Sequence, residues 1–222
     1  MYALNRITER YSEEKLDIIL AEGEPNGKGP KAGMFGASET IANAKISIRG
    51  NSARKQPQKS YKIKLTDSAG TWNDQTTINL NKHLADGSRL RNKLSFDLME
   101  RIPNLSSLRT QFVHLYVKDL TVGATTYEDY GLYTHIEQPN KQFLRSHLFD
   151  PNGYLYKVTF FEFDRYPEQI RSHTDENYDR KMFETILEIK GREEHDKLIT
   201  MLNDVNDYSL PIEEIINRHF DE

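Results

Sequence analysis

Cysteine is absent from the 222 residues, which excludes disulfides, thiolate metal sites and a cysteine nucleophile. Long apolar runs are absent too, so no segment is expected to span a bilayer. The opening residues Met1–Arg6 show no positively charged stretch leading into an apolar one, so no signal peptide is expected there. Neither G-x-S-x-G, Walker A nor G-x-G-x-x-G occurs, and the seven histidines are scattered without zinc-ligand spacing. A net charge of -4 argues against nucleic acid as the main partner. What remains, 36% hydrophobic and 29% charged residues, describes a folded globular chain with a real core.

Residues 10 to 165 read mainly as strands with long loops, and residues 175 to 222 as helices. The fold class expected is therefore α+β, with a sheet-rich lobe over 1–160 and the start of a helical lobe over 161–222. Asp17–Ala21 is a candidate strand. Lys45-Ile46-Ser47-Ile48-Arg49 alternates polar and apolar, as does Tyr61-Lys62-Ile63-Lys64-Leu65, so both read as half-buried strands. Gly50-Asn51-Ser52 and the basic loop Arg54–Lys59 connect them. A helix is expected from Ser88, as N-cap, to Ile102, stopped by Pro103. At about 100° per residue its apolar stripe is Leu90, Leu94 and Leu98, and Asp97 and Arg101 fall inside that stripe. An acid on a buried face needs a partner. Arg101, four residues on, is one choice; the other is that Asp97 or Glu100 reaches a strand lysine.

Gln111–Val117 and Tyr130–Ile136 read as a hairpin, in which His114 and His135 could face each other. Asn140 is placed to cap a short helix through Leu148. Asp150-Pro-Asn-Gly153 is a turn leading into the strand Gly153–Lys157. Helices are expected over 176–189, 193–203 and 211–220. The aromatic run 160–163 reads as core or a partner patch, and Trp72 as a surface anchor.

Several of these segments resemble one family. Ile48-Arg-Gly-Asn-Ser52 with Lys59-Ser-Tyr-Lys-Ile-Lys-Leu65 looks like the "RGNS…KKPYKIKL" segment of CotH proteins. Leu80-Asn81-Lys82, Leu90-Arg-Asn-Lys-Leu94 and Asp97-Leu98 resemble its "LN…LLRNKLAYDL" helix. Tyr130-Gly-Leu-Tyr133, Ile136-Glu-Gln-Pro139, Lys141 and Phe143-Leu144 are similar to its "YGLYTLIEQPDKRFL". Gly153–Lys157 and Glu188-Ile-Lys190 match two weaker signatures. The matches run in family order from residue 46 to about 206.

The resemblance implies a protein-kinase-like fold that binds ATP with Mg²⁺ and phosphorylates protein serines, in spore coats or on secreted and surface proteins. Its protein substrate would be a coat or surface protein. The loop from Lys118 to Asp129 is longer than the family's. Its metal-binding segments, "N.D…HNYYLY" and "PWDxD", do not occur here, so the resemblance assigns no catalytic or metal-binding aspartate. The expectation is a nucleotide-holding lobe cut before the catalytic carboxylates and inactive by itself. Phosphoryl transfer is mostly positioning plus neutralisation of phosphate charge. For that task the candidates are Lys62 and Lys64 on one strand face, Arg49 and Asn51 at the strand end, Asp97 orienting a lysine, and Glu137 near adenine. Lys157 is a weaker one. Each has a plain structural alternative: a solvated strand face, a strand-ending turn, a helix ion pair, a linker. The alternative function is a non-catalytic coat, surface or adhesion module that binds partner proteins.

Overall fold

The computed structural model describes residues 1–9, 12–50, 52–158 and 161–220. They fall into two compact units, Met1–Gln138 and Pro139–Glu222, so a boundary at 160 lies inside the second.

The first unit opens with the single turn α1 (Tyr2–Asn5) and continues through β1 (Leu16–Ile18), β2 (Ala44–Arg49), β3 (Ser60–Leu65), β4 (Thr77–Asn81), α2 (Arg91–Met99), β5 (Thr110–Val117) and β6 (Glu128–Ile136). The strands form one antiparallel sheet in the order β1-β2-β3-β4-β6-β5. Because side chains alternate across a sheet, register decides what each face carries. Ile46, Ile63 and Ile78 share one row, and Ile48, Tyr61 and Leu80 the next. All six are buried, with Met1, Leu4, Ala44, Leu65 and Tyr133 completing the core. The opposite face is polar over most of its width: Lys45, Ser47 and Arg49 on β2, Ser60, Lys62 and Lys64 on β3, Asn79 and Asn81 on β4.

Beyond β1 the chain leaves the ladder, and the Asn43 amide takes over its hydrogen bonds. Its Oδ1 accepts from the Leu20 N–H at 2.7 Å and its Nδ2 donates to the Leu20 carbonyl at 2.8 Å. Asn43 is 3% exposed. Asn43→Ala strands a donor and an acceptor together, so a loss of about 2 kcal/mol is expected in urea unfolding. An unchanged midpoint would show that water replaces the amide.

The helix after β4 departs from the sequence reading. It is nine residues, Arg91–Met99, and the residue that binds its first turn is Asp86, whose Oδ2 accepts from the Arg91 N–H at 3.0 Å. Its half-buried positions are Asn92, Lys93, Phe96 and Asp97, while Leu90, Leu94 and Leu98 are 51%, 55% and 55% exposed. The leucine stripe therefore faces away from β5, against which the helix packs.

The β5–β6 hairpin is present, with a bulge where Leu115 pairs with Gly131 and Tyr116 with Asp129. Gly131 sits at φ 77°, and a side chain there would meet Lys82 Nζ at 3.2 Å. His114 pairs with Leu132 and His135 with Gln111, so the two histidines lie on opposite faces. Nor is Trp72 a surface anchor. It is half-buried, its Nε1 donates to Glu22 Oε1 at 2.7 Å, and its ring meets His135 edge-on at 5.1 Å.

The second unit holds α3 (Lys141–Ser146), β7 (Tyr156–Val158), α4 (Arg180–Phe183), β8 (Leu187–Ile189), α5 (Asp196–Val205) and α6 (Ile212–His219). Asn140 caps α3 as expected, accepting from the N–H groups of Gln142 and Phe143 at 2.8 and 3.1 Å. The expected helix over 176–189 is instead the single turn α4 followed by β8, which pairs antiparallel with β7. Its core is Ile170, Phe183, Ile186, Leu187, Ile189 and Leu202, with Phe161 packed against it. Lys157 and Glu188 are cross-strand partners 3.1 Å apart, which gives that lysine a structural task. Among the described residues no helix is long and apolar enough to cross a membrane.

Candidate functional site

One end of the first unit's sheet gathers cations that its acids do not answer. Arg49, at the end of β2, is held by a neutral amide: its Nη1 donates to Asn81 Oδ1 at 2.5 Å. Arg54, in the connection to β3, gives Nε to the Gly50 carbonyl at 2.6 Å and Nη2 to the Ile48 carbonyl at 3.3 Å. Lys59 donates to the Arg54 carbonyl. Lys82, just past β4, donates to the Tyr130 carbonyl at 2.5 Å and lies over the Tyr133 ring at 4.1 Å. Arg54, Lys59 and Lys82 are 9%, 3% and 4% exposed. Among the described residues, none of these four cations has a carboxylate within ion-pair distance. Burial pulls the pKa values of Arg49, Lys59 and Lys82 below their ordinary ranges. A buried charge without a counter-charge is costly, so this end of the sheet carries a standing demand for an anion.

A cavity of about 320 Å³ opens at the same place. Arg49, Gly50, Gln58, Ser60, Asn81 and His83 are among the residues that line it, and among the described residues no aspartate or glutamate does. The basic loop Arg54–Lys59 is thus partly an internal scaffold, with Arg54 and Lys59 spent on backbone carbonyls beside this space. Asn51 lies outside the described residues.

The two strand lysines part company. Both are exposed. Lys62 stands between Ser47 and Asn79, two positions along β3 from Ser60 in the cavity wall. Lys64 stands between Lys45 and Thr77, toward the far end of the strand.

Asp97 is not the buried acid that its place in the leucine stripe suggests. Its side chain is 41% exposed, and both carboxylate oxygens take the Lys93 ammonium at 2.7 Å. Thr110 Oγ1 on β5 donates to it at 3.3 Å. The partner is thus Lys93, four residues before it, with Arg101 contributing only a longer-range field. The Lys93 hydrogen bond, as the largest influence, holds the Asp97 carboxyl below its usual pKa. Glu100 is exposed.

Glu137 follows β6 and is 1% exposed. Its Oε1 accepts from Arg109 Nε at 2.9 Å and Nη2 at 2.6 Å, and its Oε2 from the Arg109 N–H at 3.0 Å. Its own N–H donates to the Arg109 carbonyl at 3.0 Å. The Glu137 N–H is therefore engaged within the fold. Beside it, Asn79 Nδ2 donates to Gln138 Oε1 at 3.0 Å and to the Ile136 carbonyl at 3.3 Å, fastening β4 to the segment after β6.

Sequence reasoning missed Arg54, Lys59, Lys82 and His83. Lysine and arginine in a loop are ordinarily solvated, and nothing in the residue types marks these as turned inward.

An α+β unit with an antiparallel six-stranded sheet and a cationic cavity at one end of it is what the fold and site define. The sequence model of the family described as CotH kinase protein matches residues 46–221. The chain belongs to that family. Comparison with curated proteins gives no match.

Proposed function

We propose that this chain is the nucleotide-holding lobe of a CotH-type protein kinase, which places the phosphates of ATP at the Arg49 cavity for transfer to a serine of a coat or surface protein. The observation that carries the reading is the group of buried cations without carboxylates around an acid-free cavity. Family membership and element order support it. β2 and β3 joined by the Arg49–Gly50 connection, then β4, α2, β5, β6 and a linking segment, follow the kinase sequence of phosphate-covering loop, strand, αC helix and hinge. In this frame Arg49 and Lys62 face the phosphates, and the segment Glu137–Gln138 borders the base. Lys64 stands outside the site. Glu137 acts by fixing that segment through Arg109.

The residues present fit the nucleotide's phosphates but not its metal. Among the described residues no three His, Asp or Glu side chains gather as a metal site, so none is assigned to Mg²⁺. The test is therefore binding of ATP and not turnover. Calorimetric titration should show ATP binding that Arg49→Ala weakens tenfold or more and Lys62→Ala several-fold, with Lys64→Ala close to the parent. Equal affinities in all four proteins would remove the strand face from the site.

A second reading, a non-catalytic module that binds partner proteins, is favoured by the leucines of α2 that stand in solvent, since contiguous exposed apolar surface marks contact sites. Absence of any ATP binding would leave that reading standing alone.

A further inference from the structure

α3 ends in a way that its sequence does not favour. Past its last turn the Leu148 N–H donates to the Arg145 carbonyl at 3.2 Å and the Phe149 N–H to the Leu144 carbonyl at 2.8 Å. Many helices close with this pair of bonds, which requires a left-handed residue at the position Leu148 holds. Leu148 is at φ 63°. Glycine ordinarily takes that place, because a Cβ there crowds the following carbonyl. The leucine bears this strain without packing in return: it is 95% exposed, and Phe149 beside it is 47% exposed. The buried side of α3 is already filled by Phe143 and Leu144. Backbone strain kept at a side chain that the fold does not use points to a use outside the fold.

The charges around this pair have one sign. Lys141 and Arg145 are exposed, and Leu148 follows Arg145 by three residues, so the three succeed one another at turn spacing. Among the described residues neither cation has a carboxylate within ion-pair distance. Residues 139–149 contain no aspartate or glutamate, whereas residues 150–222 hold eighteen against nine lysines and arginines. Asp150, the next acid along the chain, is turned to its own loop, where Oδ1 accepts from the Asn152 N–H at 2.9 Å. A basic and partly apolar patch thus stands on an otherwise acidic unit.

We propose that Lys141, Arg145, Leu148 and Phe149 form a docking surface for a peptide segment that carries aspartate or glutamate around one large apolar side chain. Leu148 and Phe149 supply the apolar contact, and the two cations meet the acids and set the register. A lipid bilayer is the other anionic surface such a patch could meet, and the chain's net charge of -4 disfavours it. The surface lies within the second unit and depends neither on the Arg49 cavity nor on ATP.

The probe is a random library of short peptides, displayed on phage and selected on the full chain. Selected peptides should be enriched in aspartate and glutamate around a leucine or an aromatic residue. Leu148→Gly should weaken them about tenfold, while its urea midpoint stays level with the parent's or rises, since glycine suits the left-handed position. Arg145→Gln should weaken them several-fold, by a margin that added salt narrows. Peptides that bind Leu148→Gly as tightly as the parent overturn the proposal, and so does a selection without acidic bias. A lower midpoint for Leu148→Gly would show that the leucine serves the fold, which removes the reason for the site. Vesicles of phosphatidylserine and phosphatidylcholine that bind the chain through Leu148, where no acidic peptide is selected, would give the surface to a membrane and overturn the proposal too.

Discussion

Arg109→Ala should destabilise the first unit more than Glu137→Ala, although the two substitutions break the same pair of side-chain hydrogen bonds. The difference comes from what each leaves behind. Arg109 is 37% exposed and Glu137 1%. Without Glu137, the guanidinium can turn to water, and the loss is the pair's own contribution plus the Arg109 N–H that Oε2 accepted. Without Arg109, a carboxylate stays buried at the end of β6 and loses its guanidinium. Removing one partner of a buried pair costs about 3–5 kcal/mol when the survivor stays buried, and less when it can be solvated. Expected losses are therefore about 3–4 kcal/mol for Arg109→Ala and about 2 kcal/mol for Glu137→Ala. Urea unfolding of both variants at pH 7.5 decides it. Equal losses, or the reverse order, would mean that water reaches the Glu137 carboxylate. Because Glu137 fixes the segment after β6, ATP affinity should fall in both variants if that segment borders the base.

That pair also shows where sequence reasoning stops. Glu137 was legible as a special position, between a strand and Pro139, but its task was not. Its partner lies 28 residues earlier, and only the register of β5 with β6 brings the two together. The strands β2 and β3 were legible because one face is core and the other polar, so alternation is plain. β4 was not, since four of its five residues are buried and Asn79 and Asn81 carry no strand preference. The segment ending in Ile186, Leu187 and Ile189 has apolar spacing that suits a helix turn. A partner strand at Tyr156–Val158 decides for β8, and no local pattern shows it. The leucines of α2 have true helical spacing, yet they lie outward. Periodicity says that one face is apolar, not which way it points. In the site, the resemblance led to Arg49, whose surroundings are cationic and acid-free. The inward turn of Arg54 and Lys59 depends on carbonyls of β2 and its own loop, which residue types do not announce.

Acid should begin to destabilise this protein from about pH 6.5 downward, before most of its carboxylates titrate. His195 in the second unit is 0% exposed, its ring stacked on Phe183 at 4.1 Å. Its Nδ1 is 2.9 Å from the Tyr156 hydroxyl and its Nε2 3.2 Å from that of Tyr178. A neutral ring satisfies both contacts, accepting one hydrogen bond and donating the other. A protonated ring can only donate, and its charge would meet two hydroxyls and an aromatic face in place of water. Burial pulls its pKa down to about 4. His135 in the first unit, 2% exposed and packed against Trp72, is pulled to about 4 by the same cause. An unfolded histidine titrates near 6.5, so between pH 6.5 and 4 the unfolded chain binds protons that the folded one refuses. Stability from these residues is complete above pH 6.5 and is lost as pH falls toward 4, by up to about 3 kcal/mol for each. His83 acts in the same direction. Asp119, held down at about 2 by the Thr121 hydroxyl and the N-terminal ammonium, gives way only below this window. Urea midpoints at pH 7.5, 5.5 and 4.5 should therefore fall steeply. His195→Leu should start lower at pH 7.5, because two tyrosine hydroxyls lose their partner, yet fall less between pH 6.5 and 4.5. A slope that His195→Leu leaves unchanged would show that the folded protein accommodates the imidazolium, and that the ring is held for its packing and not for its neutrality.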